Sequence, residues 1–256
     1  MGKADEEVQG KEQVGLKMNI YREYLKTIED NEYLISMVPI DQILRFGYEA
    51  GLNENSRVLD LCCGYGTVLK VWNEAFNVTG VGVDRDESFI SIGKQRLKKA
   101  EIDKVTLVCD DVTLYRDDEK YDVVILSETI GSIADTLRLG ERFLKKDGIL
   151  AYQKLYSKVK NPPRELVEFD GEVLPLSALN HIFNENGYQM VSMAGDTDSA
   201  WERYVLAWSG QRNLERLKDD PSDTSLRKWC DKWYEMYFDY RREYEGQALF
   251  GLKRAV

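Results

Sequence analysis

The chain has 256 residues, enough to bury one full core and an insertion, and a formal net charge of −10 at pH 7. That balance opposes nonspecific attraction to phosphate backbones and disfavours a nucleic-acid partner. No apolar run approaches the roughly 20 residues needed to span a bilayer. The start, MGKADEEVQGKEQ, is charged and lacks the apolar stretch of a signal peptide, so the expected location is the cytoplasm.

The four cysteines, Cys62, Cys63, Cys109 and Cys230, form no C-x-x-C pair, and the single histidine, His181, lies far from them in sequence. This pattern argues against a metal site or a disulfide framework. Residues 1 to about 15 read as a solvated arm. Lys17 to Leu34 has helical spacing and carries Tyr21, Tyr24 and Tyr33. Pro39 opens a second helix with Ile40, Ile43, Leu44 and Phe46 on one side, ending near Gly51.

Arg57 to Thr67, RVLDLCCGYGT, is the stretch that speaks most clearly about function. Val58, Leu59 and Leu61 form the short apolar run of a buried parallel strand, and Gly64 and Gly66 allow positive φ and close approach of a ligand to the backbone. From Thr67 to Phe76 the spacing turns helical. A ligand at the strand's carboxyl end therefore meets free N–H groups and the positive end of a helix dipole. Thr79 to Val83 reads as a second strand closed by Asp84, which follows Asp60 by 24 positions. That is close to the ~20-residue spacing at which an acid meets ribose hydroxyls in such folds. A dinucleotide fingerprint needs a third glycine three positions after the second, where this chain has Leu69.

With Leu-Asp-x-x-Gly-x-Gly after an apolar strand, the stretch resembles the first motif of class I S-adenosylmethionine-dependent methyltransferases, in particular small prokaryotic ones with a helical insertion before the last strand. One departure is plain: Cys62 stands where the family has its first glycine. The resemblance implies S-adenosylmethionine as cofactor, no metal, and a Rossmann-like doubly wound α/β sheet of about seven strands, mostly parallel with an antiparallel last strand. It implies that Asp60, Cys62, Cys63, Gly64 and Gly66 face the methionine end of the cofactor. Asp84, followed by Arg85, would hold the ribose. In many relatives the segment before the first strand folds over the cofactor. Tyr21 and Tyr24 therefore either line the site or pack their helix on the sheet.

Beyond Asp84, Asp86 and Ser88 offer an N-cap for a helix running to about Ala100. Val105 to Cys109 is a third strand ended by Asp110 and Asp111. The resemblance assigns the adenine amino group to Asp111, with Asp110 as the alternative, and a ring nitrogen to the Val112 N–H. Tyr121 to Leu126 is a central fourth strand, and Ser127 and Glu128 lie at its carboxyl end, where open α/β sheets bind ligands. Glu128 is the leading charged group for the reaction, with a solvated loop acid as its other reading. A helix over Leu137 to Leu144, a KKDG turn and a strand over Ile149 to Tyr152 follow. With a helix in each crossover, strands and helices alternate from Arg57 to Gln153.

Tyr156 to Leu174 reads as irregular, Leu176 to Asn186 as a helix, Tyr188 to Ala194 as a sixth strand and Ala248 to Leu252 as the last. Between these strands lie two further helical stretches, Ala200 to Lys218 and Ser222 to Glu245. The expected organisation is an arm and helices over 1–50 covering the site, a cofactor-binding core over 51–195, a helical lid over 196–246 and a last strand over 247–256. The insertion is rich in aromatics, among them Trp201, Tyr204, Trp233 and Tyr237. They form either a wall for the methyl acceptor, with Trp201 and Tyr204 as substrate residues, or the insertion's own small core.

The expected activity is methyl transfer to a small-molecule acceptor by in-line displacement, releasing S-adenosylhomocysteine. The alternatives are a non-catalytic S-adenosylmethionine-binding module and a NAD-dependent oxidoreductase, the latter disfavoured by Leu69 and by the acids after the third strand. His181 sits among apolar helical neighbours and reads as structural rather than catalytic.

Overall fold

The apolar runs pair into one sheet of seven strands: β1 (Arg57–Leu61), β2 (Thr79–Asp84), β3 (Val105–Cys109), β4 (Tyr121–Leu126), β5 (Leu144–Ser157), β6 (Tyr188–Gly195) and β7 (Glu245–Arg254). Their order is β3-β2-β1-β4-β5-β7-β6. The first five pair in parallel, and β7 runs antiparallel to both β5 and β6. This is the computed structural model of the chain, and it describes residues 26–127, 129–171 and 173–255. Tyr21, Tyr24 and Glu128 lie outside the described residues. Residues 26–34 belong to a separate unit, helical over 26–32, and Ile35 begins the unit that holds the sheet.

β1 and β4 take the middle because both faces of each are apolar: Val58, Leu59, Leu61, Val123, Val124, Ile125 and Leu126 are all buried. The chain direction of winding reverses between them, which leaves a crevice at their carboxyl ends. Helices α1 (Ile40–Glu49), α2 (Thr67–Phe76), α3 (Glu87–Lys99), α4 (Ile133–Glu141), α5 (Arg164–Asp170) and α6 (Leu176–Glu185) complete the core. α1 locks onto α2 through the stacked rings of Phe46 and Trp72, and the Trp72 indole N–H donates to the Ile43 carbonyl at 2.9 Å. Asp86 caps α3 as expected, accepting from the N–H groups of Ser88 and Phe89.

Several boundaries differ from the expectations. No helix joins β3 to β4: the eleven residues 110–120 form turns held by Asp110, Asp111 and Asp117, which accept from nearby N–H groups. α4 starts at Ile133, four residues before Leu137, because Ser132 and Asp135 form a reciprocal capping box. The KKDG stretch is not a free turn. It lies within β5, whose pairing with β4 shifts register there, and Lys145 bonds Asp122 at 2.9 Å. β5 runs on to Ser157 because β7 pairs with it from Leu150 to Ser157, so β7 also starts earlier, at Glu245. Within the stretch expected to be irregular, residues 164–170 form α5.

The insertion contains α7 (Asp198–Glu202), a π-helical segment (Arg203–Gly210) and α8 (Gln211–Asp219), then α9 (Thr224–Met236), a second π-helical segment (Tyr237–Arg241) and α10 (Arg242–Tyr244). Asp223 caps α9 by accepting from the Leu226 N–H at 2.8 Å. Trp201, Val205 and Tyr237 are buried with Met37 in one cluster, joined by Leu155, Tyr204, Trp233 and Tyr234. The aromatics thus build the insertion's own core and fasten it to β5.

Candidate active site

β1 ends by delivering Asp60 into the crevice, almost fully buried. Burial, and then the neighbouring Asp84 carboxylate, push its carboxyl up to about 7, opposed by the Ser127 hydroxyl. The loop that follows has left-handed backbone at Cys62 (φ 64°), Gly64 (φ 54°) and Gly66 (φ 68°). At Gly66 a Cβ would also meet a Leu107 methyl at 2.7 Å, so both the angle and the space require glycine. Cys62 is a non-glycine residue held in the conformation that explains the family's preference there. The Cys63 side chain turns inward: its sulfur would be 2.8 Å from a Cβ on Gly82, and its thiol donates to the Gly64 carbonyl. Burial raises that thiol well above its ordinary value, so it stays protonated.

Asp84 closes β2 and holds the loop: Oδ2 accepts from the Gly64 N–H at 2.8 Å and Oδ1 from the Asp86 N–H at 3.0 Å. A cleft of about 740 Å³ opens beside it, lined by Cys62, Asp84, Arg85, Asp86, Phe89, Asp110, Asp111, Val112, Thr113 and the loop Thr129–Gly131. Of the residues expected at the cofactor, Cys62, Asp84, Arg85, Asp110, Asp111 and Val112 meet here, with Asp60 and Ser127 bonded to each other at 3.5 Å. Asp111 accepts from the Thr113 hydroxyl and N–H, which lowers its carboxyl below the usual range. Asp110 accepts from the Asp111 N–H, so both acids remain at the cleft. Among the described residues nothing accepts from the Val112 N–H.

A second, smaller pocket of about 210 Å³ lies at the carboxyl ends of β4 and β5, under the insertion. Ser127, Thr129, Gln153, Lys154 and Leu155 line it from the sheet, with Gln247 from β7, Ile35 and Met37 from the segment before α1, and Trp201, Tyr204, Trp233 and Arg241 from the insertion. Tyr204 and Arg241 come from the two π-helical segments, a geometry often found at functional sites. Trp201 and Tyr204 line this pocket and also belong to the insertion's core. Arg241 is buried, paired with Asp170 (Nε to Oδ2 at 2.8 Å) and stacked over Trp233 at 4.2 Å. Thr129 lines both cavities, and its hydroxyl bonds the Tyr152 hydroxyl at 2.6 Å. His181 is exposed and paired with Glu185, away from these linings.

The sequence reading missed Phe89, Thr129, Gln153, Lys154, Arg241 and Gln247. The two glutamines carried a usable signal, since each interrupts an otherwise apolar strand (AYQKL, GQALF). Thr129 and Arg241 carried none, because loop path and helix phase place them.

A family model described as a methyltransferase domain matches residues 52–229, more than half of the chain. The Escherichia coli (strain K12) protein YjhP is 27% identical over 238 residues, covering 88% of this chain and 96% of its own. The putative methyltransferase YqeM of Bacillus subtilis (strain 168) is 28% identical over 189 residues, 70% of each chain. In structure, the chain is similar to a SAM-dependent methyltransferase from Thiobacillus denitrificans in complex with S-adenosyl-L-homocysteine. The TM-score is 0.80 at 23% identity, over 89% of this chain and 97% of the other. The sheet order, the glycine loop and the family match agree, and the chain belongs to the S-adenosylmethionine-dependent methyltransferases of class I.

Proposed function

We propose that the protein transfers the methyl group of S-adenosylmethionine to a small-molecule acceptor held between the sheet and the insertion. The polar groups of the larger cleft, together with Asp60 buried beside Ser127, fit this cofactor. Asp60 would take its ammonium group, Asp84 its ribose hydroxyls, Asp111 or Asp110 its adenine amino group, and the uncommitted Val112 N–H a ring nitrogen. The bound cofactor supplies a methyl group already activated as a sulfonium. The chain's task is then to orient, and to exclude water from the line of transfer.

The observation that carries the reading is the abutment of the two cavities at Thr129. An acceptor in the smaller pocket lies beside the methionine end defined by Asp60 and Ser127. Trp201, Tyr204, Trp233, Met37 and Leu155 give that pocket apolar walls that favour a dry reaction. Its small volume and the chain's negative charge support a small acceptor over a nucleic acid.

The test uses S-adenosylmethionine labelled in its methyl group, incubated with the enzyme and a total cell extract, followed by dialysis. An enzyme-dependent labelled small molecule in the dialysate, chromatographically distinct from S-adenosylmethionine, supports a small-molecule acceptor. Enzyme-dependent label found only in protein or RNA overturns it.

A further inference from the structure

The floor of the acceptor pocket is built from two glutamines whose oxygens are tied down and whose nitrogens are not. Gln247 Oε1 accepts from the Met37 N–H at 2.8 Å, and the Ser36 oxygen lies 3.1 Å from it. A backbone N–H can only donate, so the oxygen of Gln247 must face Met37 and its Nε2 must face the other way. The single Ser36 hydroxyl proton goes to the nearer acceptor, Gln153 Oε1, at 2.8 Å. The Ser36 oxygen in turn accepts from the Val38 N–H at 3.0 Å, and Arg203 donates to the Ser36 carbonyl. Residues 36–38 are therefore a rigid strap that sets the orientation of both amides.

Neither Nε2 has a hydrogen-bond partner among the described residues, and neither is shut off from the pocket both side chains line. Two amide groups with four N–H donors between them point at one small space. These donors are free to meet an acceptor that a ligand supplies in place of water. Lys154 and the Arg241 guanidinium lie in the same lining. Nearby acids are turned to protein donors: Asp196 accepts from the Trp201 indole N–H and the Gln247 N–H, and Asp170 from Arg241.

We infer that Gln153 and Gln247 form a subsite for a carboxylate on the methyl acceptor, whose apolar body packs against the wall of Trp201, Tyr204 and Trp233. This rests on the reading of the smaller pocket as the acceptor site. The paired amides fix the acid group, and the aromatic wall selects a planar or aliphatic body. The opposite reading, an ammonium acceptor drawn to the buried carboxylate of Glu245, has one observation behind it. Both Glu245 oxygens are buried without a hydrogen bond. They are also closed to solvent, which is why the carboxylate reading is preferred.

The experiment titrates benzoate, benzyl alcohol and benzylamine, followed by tryptophan fluorescence, on wild type and on Gln247→Glu and Gln153→Glu. Each variant keeps an oxygen for the strap and exchanges only the pocket-facing N–H2 for oxygen. Wild type should bind benzoate most tightly, and each variant should weaken benzoate at least about tenfold while strengthening benzylamine. A merely structural role would leave the ranking of the three unaltered. The inference is overturned if wild type prefers benzyl alcohol or benzylamine, if it binds none of them, or if both variants keep the wild-type ranking. Every titration is run with and without S-adenosylhomocysteine, whose own binding is scored separately. Failure of the cofactor to bind then counts against methyl transfer, and the benzoate ranking alone decides the subsite.

Discussion

The Gly64 N–H donates to Oδ2 of Asp84 at 2.8 Å, so the acid that closes the second strand also holds the glycine loop after the first. Asp84→Ala should therefore do two things at once. It should cost about 2 kcal/mol of stability, because the N–H groups of Gly64 and Asp86 lose a charged acceptor. It should also weaken S-adenosylhomocysteine at least about tenfold by removing the ribose partner. Asp84→Asn keeps an oxygen for one N–H and should recover part of the stability without the affinity. Urea unfolding of the three proteins checks the first part.

Asp60 makes cofactor affinity depend on pH. Its folded value is raised to about 7, so below that the carboxyl carries a proton and offers no charge to an ammonium group. Binding favours the ionised form. Affinity for S-adenosylhomocysteine should therefore rise by up to about tenfold per pH unit toward pH 7 and level off above it. Asp60→Asn should flatten the profile and lower the plateau. Affinity that falls on raising the pH from about 5 to about 7 would contradict this assignment.

Cys62 at φ 64° carries left-handed strain at the position where the motif it resembles has its first glycine. Such strain costs about 1–2 kcal/mol, and glycine's extra freedom in the unfolded chain returns roughly half of that. Cys62→Gly should be neutral to slightly stabilising, whereas the β-branched Cys62→Val should lose more than about 1 kcal/mol. Thermal unfolding of the pair in parallel decides the point, and equal losses would show that the thiol's packing dominates.

Glu245 opens β7 fully buried and without hydrogen bonds. Burial, then Asp170, push its carboxyl up to about 7, opposed by Arg241 and Lys158. The folded state thus holds a proton that the unfolded chain has released between roughly pH 4.3 and 7, and stability falls as pH rises through that window. Glu245→Gln should remove the penalty. We expect a gain of roughly 2 kcal/mol at pH 8, shrinking to nearly nothing by about pH 4.5. A gain that is independent of pH would mean that Glu245 titrates alike in the folded and the unfolded chain, which contradicts a raised carboxyl.

The sequence made the sheet core legible because its strands are apolar runs ended by acids, as Asp60 and Asp84 show. The mistakes fell where pairing overrides local pattern. The KKDG stretch looks like a turn, but β5 continues through it because Leu144 before it and Ile149 after it both pair with β4. The link from Asp110 to Lys120 is too rich in side chains that bond their own backbone to wind into a helix. The lining of the larger cleft was legible because its residues follow strand ends in a fixed register. The lining of the smaller pocket was not, because Gln153 meets Arg241 and Gln247 from a distant part of the chain.

The most direct test is calorimetric titration of S-adenosylhomocysteine, and separately of NAD, into wild type and Asp84→Ala. The account predicts saturable one-to-one binding of S-adenosylhomocysteine to wild type, weakened at least about tenfold in the variant, and no saturable heat from NAD. Saturable binding of NAD, or binding of S-adenosylhomocysteine that Asp84→Ala leaves unaltered, would contradict it.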